Sequence, residues 1–317
     1  MRPVFVLLVA ISVTTNASAQ DAPADASARL MAAIDAKGAR YSDLAKQIWS
    51  FAEVGYQEVK SSALLATELE TAGFKVTRGV VGIPTAFVAE FGSGKPVIGI
   101  LGEFDALPGL SQDATPLQKA IIANAAGHGC GHNLFGVASA GAAIALKDWM
   151  TANRITGTLR FYGTPAEEGG SGKVYMVRDG LFRDVDAVIA WHPGDANDIN
   201  GTVSQANVTG KFRFRGVSAH AAGAPERGRS ALDGVEAMNV MVNMMREHVP
   251  QETRIHYVIT NGGRAPNVVP DFAEVYYYAR QNDMKILDDV WERIVKAANG
   301  AAMGTGTTVD FEITGSV

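Results

Sequence analysis

The chain has a single cysteine in 317 residues, so no internal disulfide can staple it. It has no surplus of positive charge: 28 Lys and Arg stand against 33 Asp and Glu, with no basic cluster. That balance argues against nucleic acid or an anionic membrane as partner. Beyond the first twenty residues no apolar run is long enough to span a bilayer. The Gly-x-Ser-x-Gly turn of serine hydrolases is missing, and no His-Glu-x-x-His helix occurs. "GSGK", Gly92 to Lys95, lacks the upstream glycine and the following Ser or Thr of a phosphate-binding loop. Repeats are absent as well, which excludes solenoid architectures.

What is present begins with an export signal. Arg2, the apolar run Val4 to Val13 and the small residues Ala17-Ser18-Ala19 read as a secretory peptide over residues 1–19, which predicts a periplasmic or secreted protein. A lone thiol in an oxidising compartment is either buried and inert or occupied, for instance by a metal. The remaining length suffices for two domains with cores of their own.

From about Ala28 the apolar spacing is helical, interrupted near Gly55 and stopped at Gly73. Short apolar strands ("TAFVAEF", "PVIGIL", "TLRFY", "DAVIAW") then alternate with helical stretches, the pattern of a mostly parallel α/β sheet. After about Gly201 the order becomes strand, helix, strand, strand, helix, strand, as in a ferredoxin-like α+β domain. The fold expected is therefore α/β: a catalytic domain over 20–202, and a ferredoxin-like lid over 203–317.

The polar residues gather where these strands end. Glu103 and Asp105 follow "PVIGIL", Glu167 and Glu168 follow "TLRFY", and His192 follows "DAVIAW". In open α/β sheets ligands bind beyond the carboxyl ends of the strands, so these groups should converge. Cys130-Gly131-His132 opens a helix, where a thiolate is favoured, and in a locally extended loop both side chains point to one side. Thiolate, imidazole and carboxylate form a donor set suited to Zn²⁺ or a similar ion. Of two adjacent glutamates, one can bind metal while the other takes a proton from metal-bound water. A buried free thiol and a solvated Glu-Glu turn are the competing readings; they leave the clustering unexplained.

The segments "GEFDALPGLSQ", "GHGCGHNLFG", "GTPAEE", "AWHPG", "GVSAHAA" and "GGRAPNVVPDFAEVYYYAR" resemble, in order, the aminoacylase and glutamate-carboxypeptidase family of dinuclear metallohydrolases, in its amidohydrolase branch. The resemblance implies a catalytic domain interrupted by a lid that also dimerises, two divalent ions (Zn or Mn), and cleavage of N-acyl or N-aroyl amino acids such as p-aminobenzoyl-glutamate. It implies Cys130, His132, Glu168 and His192 as metal ligands, Glu167 as general base and Asp105 as a supporting group. His220 matches a histidine that reaches the partner subunit's site, and Asn267 and Arg280 match positions that hold the substrate and its carboxylate. Arg280 could instead pair with Asp271 or Glu274, and His220 could simply cap a turn. His128 lies beside the ligands but matches none. The partner implied is a second copy or a homologous second subunit. Glu103 stands where relatives outside this branch carry a metal-binding histidine. Relatives return to the catalytic domain after the lid, with a last histidine ligand. The chain is expected to lack that segment, which makes a catalytically impaired metal-binding remnant the alternative expectation.

Overall fold

A computed structural model of the chain describes residues 23–197, 199 and 203–316. The expected export signal lies outside the described residues.

Three helices open the chain: α1 (Pro23–Ala36), α2 (Gly38–Phe51) and α3 (Val59–Thr71). The break between α2 and α3 falls around Gly55, and Gly73 ends the run in a left-handed conformation, φ 97°. The first sheet contains β1 (Lys75–Arg78), β2 (Phe87–Ser93), β3 (Val97–Gly102), β4 (Gly157–Gly163) and β5 (Ala187–Ile189), in the order β1-β2-β4-β3-β5. β3 pairs parallel with β4 and β5, as the alternation with helices predicts. β2 alone runs against the others, antiparallel to both β1 and β4, so the mostly parallel sheet carries one reversed strand. The cause is connection length: the short link from β1 to β2 can only reverse the chain, whereas parallel neighbours need a long crossover.

That crossover contains α4 (His132–Ala152), whose small residues let it lie close on the sheet. A Cβ on Gly136 would stand 2.5 Å from the Glu103 carbonyl oxygen, so helix and strand end touch with nothing between them. Phe87, Phe104 and Phe161 stack in the core below, all fully buried. A short helix, α5 (Gly172–Arg178), follows β4.

The second sheet is the expected ferredoxin-like unit. β6 (Ala206–Arg215), α6 (Ala231–Met245), β7 (Arg254–Asn261), β8 (Phe272–Gln281), α7 (Met284–Thr305) and β9 (Thr308–Ser316) form an antiparallel sheet ordered β7-β8-β6-β9. Ser230 caps α6 by accepting from the Asp233 N–H, and Asp283 caps α7 by accepting from Lys285 and Ile286. Alternate residues of the strands, among them Phe212, Phe214, Val275, Tyr277 and Ile255, bury against the two helices. Met238 and Met245 of α6 are core, while Met241 and Met244 are exposed. Among the described residues no helix is long and apolar enough to cross a membrane.

Candidate metal centre

Because β3, β4 and β5 are parallel, the residues that follow them reach the same edge of the sheet. Glu103 follows β3, the Thr164–Glu168 turn follows β4, and His192 lies just past β5. α4 begins at His132, preceded by Gly131 in the left-handed region (φ 81°, ψ 19°). The Cys-Gly-His segment is therefore a tight turn into the helix rather than the extended loop expected, because glycine allows that conformation freely. A Cβ on Gly131 would also meet Pro193 at 2.9 Å, which packs this turn against the His192 segment.

Two overlapping donor groups result. Cys130, His132 and His192 have ligand atoms within 4.8 Å of one another, and so do Glu103, His132 and Glu167. Cys130 Sγ lies 3.3 Å from His192 Nε2. Donors bound tetrahedrally to one Zn²⁺ are separated by about 3.5 Å for sulfur and nitrogen, so the pair is close to ligand spacing. His192 Nδ1 faces the Pro193 carbonyl at 2.9 Å and donates to it, leaving the Nε2 lone pair toward Cys130.

His132 is completely buried. Its Nδ1 donates to Asp105, 3.1 Å from the carbonyl oxygen and 3.0 Å from Oδ1. The other oxygen of Asp105 accepts the Glu168 backbone N–H at 2.8 Å, so one carboxylate fixes both a ring and the Glu-Glu turn. This is the arrangement that orients metal-binding imidazoles. His132 Nε2 stands 3.0 Å from Glu103 Oε2, yet neither atom has the alignment of a hydrogen bond. Glu168 Oε1 is likewise buried without a partner. Buried polar atoms are almost always paired, so three orphans in one place mark a donor set shaped for a cation. Soft sulfur, two imidazoles and three carboxylates suit a divalent ion such as zinc. The residues fit the group.

Burial opposes charge on His132, but Asp105 and Glu103 outweigh it and raise the ring to about 10. Burial, then Glu168, pushes the Cys130 thiol up to about 12. The thiolate expected from the helix start is thus not favoured by the protein alone; the surrounding carboxylates reverse the effect of the helix. A coordinating cation removes such a proton outright. Glu167, half exposed, is raised by burial and then by Glu103, with Lys173 opposing.

Three contributors escaped the sequence reading: Lys173, Glu58 and Tyr56. Glu103 belongs to the second donor group, and its other oxygen is held by the Lys173 ammonium from α5. Glu58, fully buried, accepts the Ala166 N–H at 2.7 Å. Ala166 and Ser171 both have φ 56°, a strained region for residues with a side chain, and they bracket the two glutamates. Glu58, with Tyr56 donating to the Gly170 carbonyl at 2.5 Å, holds that strained turn in place. None of these has a local signature: an acid near a helix start reads as a cap or a solvated face.

The remaining predicted residues divide. Arg280, with Asn207, Thr209 and Tyr278 of the second sheet, faces Glu167 and Glu168 across a cleft of about 490 Å³. Arg280 pairs with neither Asp271 nor Glu274; its guanidinium lies over the Tyr278 ring, 5.8 Å from its centre. His220 and Asn267 sit together elsewhere: the Ala221 N–H donates to the Asn267 carbonyl, and neither residue lines that cleft. His220 Nδ1 does cap a turn, accepting from Ala222 and Gly223 at 3.2 and 3.0 Å. That fixes the tautomer and leaves Nε2–H as a donor. His128 Nε2 donates to the Ile48 carbonyl at 3.0 Å, and burial lowers the ring to about 4, so it is a neutral packing residue.

Residues 204–305 match the family model of the peptidase dimerisation domain. The chain is 50% identical over 280 residues to one of the two kinds of chain that make up the p-aminobenzoyl-glutamate hydrolase of Escherichia coli, covering 88% of this chain and 58% of that protein. It is 31% identical over 292 residues to the Xaa-Arg dipeptidase of Mus musculus, covering 88% and 64%. Among solved structures it resembles a dinuclear metal-binding peptidase of Bacillus subtilis, with a TM-score of 0.60 and 21% identity over 88% of this chain and 74% of that one. The chain spans less than two thirds of the length of the first curated relatives it matches.

Proposed function

We propose that the chain is a member of the aminoacylase and glutamate-carboxypeptidase family of dinuclear metallohydrolases, and that it is a metal-dependent amidohydrolase of N-acyl or N-aroyl amino acids. The observation that carries the reading is the set of orphaned donors around His132 at the carboxyl ends of three parallel strands. Cys130, His132, Glu168 and His192, joined by Glu103, would hold two divalent ions, zinc or manganese. Such ions, when bound, activate water and polarise the amide carbonyl.

The protein's own groups do the rest. Glu167 takes the proton from the attacking water and returns it to the departing amine. Asp105 keeps His132 in one tautomer and fixes the backbone of Glu168. Arg280, always charged and without an acidic partner among the described residues, receives the carboxylate of the amino acid. On the other side of Cys130 lies a largely apolar cavity of about 960 Å³, lined in part by Trp49, Leu134 and Pro193, which suits an aromatic acyl group. The scissile amide would lie between the two cavities.

The test is direct. Full-length chain loaded with Zn²⁺ or Mn²⁺ should release p-aminobenzoate from p-aminobenzoyl-glutamate, lose the activity to a chelator and regain it on metal return. Metal bound at stoichiometry without turnover would refute the reading.

The partner is a second copy or a homologous chain joined through the lid. β7 is an edge strand with exposed Val258 and Ile259, and Val240, Met241 and Met244 are exposed on α6 nearby. Unpaired strand edges beside apolar helix faces favour pairing with another chain. Such pairing gives His220 a task, donation from Nε2–H to the oxyanion in the partner's site. Chains carrying His220→Ala mixed with chains carrying Glu167→Gln should then recover activity that neither has alone. A mixture as inactive as its components would mean self-contained sites.

A further inference from the structure

The two donor groups share one nitrogen. His132 Nδ1 is committed to Asp105, so the ring offers a single lone pair, at Nε2, and both groups need it. An ion seated on Cys130 and His192 that takes this lone pair leaves the other group with two carboxylates, Glu103 and Glu167. One of those carboxylates already has a cation. Glu103 is buried, and it turns Oε2 toward His132 Nε2 while Oε1 accepts from the Lys173 ammonium. The lysine does not serve its own helix. It is the second residue of α5, and a positive charge in the first turn of a helix is unfavourable. The start of α5 is also fixed in place: Ser171 before it has φ 56°, and a Cβ on Gly172 would stand 2.1 Å from the Pro165 carbonyl oxygen. Strain and close packing therefore hold the residue that bears the ammonium beside the donor cluster, where it lines the same cleft as Glu167.

We propose that Lys173 is a built-in cation that competes with the second divalent ion for Glu103, so that the chain takes up its two ions one after the other and with unequal affinity. The proposal rests on the two-ion reading of the site and adds to it an order of loading. The first ion goes to the group with sulfur and two imidazoles, where no side-chain cation stands in its way. The second must draw Glu103 away from Lys173, and it finds carboxylate oxygens, a donor set that suits manganese better than zinc. While a single ion is bound, Lys173 keeps the buried carboxylate compensated, and an unpaired buried charge is strongly destabilising. Lys173 is thus a positioning residue: it sets the metal concentration at which the site becomes complete.

Calorimetric titration of the metal-free full chain with Zn²⁺ and, separately, with Mn²⁺ tests this without any need for turnover. The chain should bind one ion tightly and a second about tenfold or more weakly, the scale of displacing one charge-assisted hydrogen bond. Lys173→Met should tighten the second ion by about tenfold or more and leave the first unchanged, which also shows that the variant is folded. Lys173→Arg, which keeps the charge, should keep the gap. Two ions of equal affinity in the unaltered chain, or a gap that survives Lys173→Met, overturns the proposal and leaves the two-ion reading standing. So does a gap that Lys173→Arg closes as fully as Lys173→Met, since charge would then not be the cause. A first ion weakened by Lys173→Met would make the lysine a general support of the cluster, and overturns the proposal too. One ion at most in all three chains would overturn the proposal and the two-ion reading together.

Discussion

Glu167→Gln is expected to cut turnover by about 10²–10⁴-fold, the usual share of proton transfer, while bound metal is unchanged. The carboxyl is placed for the task. It is half exposed to the cleft, 3.9 Å from His132 Nε2, and held by a turn that Glu58 and Tyr56 pin from behind. Burial and the nearby Glu103 raise its pKa, which makes it a better proton acceptor near neutral pH. Glutamine keeps the size and the hydrogen-bonding carbonyl but cannot accept the proton. Steady-state kinetics with metal analysis on the same preparation decides the matter. The geometry makes the control informative, because it is Glu167, not Glu168, whose oxygen lies within ligand range of Glu103 and His132. A variant that loses metal along with rate would exchange the roles of the two glutamates.

Cys130→Ala is expected to weaken metal binding by more than about 100-fold, because even outer partners of a ligand typically contribute about 10–100-fold. Sγ is the soft donor of its group, and without it the group keeps only the ring nitrogens of His132 and His192. With the thiol held near 12 in the absence of a cation, binding must expel its proton, so affinity should rise with pH across the neutral range and the rise should be shallower in the variant. Metal content by mass spectrometry after dialysis reads the first effect, and proton release on titration reads the second. A variant that keeps its full metal would return Cys130 to the role of an inert thiol.

The convergence of these side chains was legible because each stands in sequence just past an apolar strand or at a helix start, and parallel strands carry such positions to one edge. The ferredoxin-like order was legible from alternation and helical spacing alone. The partners of the donors were not. Glu103 and Lys173 meet across β3 and α5, and Glu58 reaches Ala166 over 108 residues. Such meetings depend on tertiary placement, and nothing within a few residues of either partner announces them. The reversal of β2 was not legible for a related reason: strand direction follows from how the chain returns, not from the strand's own composition. The Cys-Gly-His turn shows the opposite limit, since glycine permits several conformations and the packing against Pro193 selects among them.

Gly136 sits one turn beyond His132, and it touches no substrate in any reading of the cleft. With hydrogen as its side chain, the backbone of α4 rests directly on the end of β3. Even a methyl group there would have to lift the helix, and His132 would ride away from Glu103 and Asp105 with it. The precision of the whole donor cluster is therefore hostage to a backbone contact distance that no bound group sets.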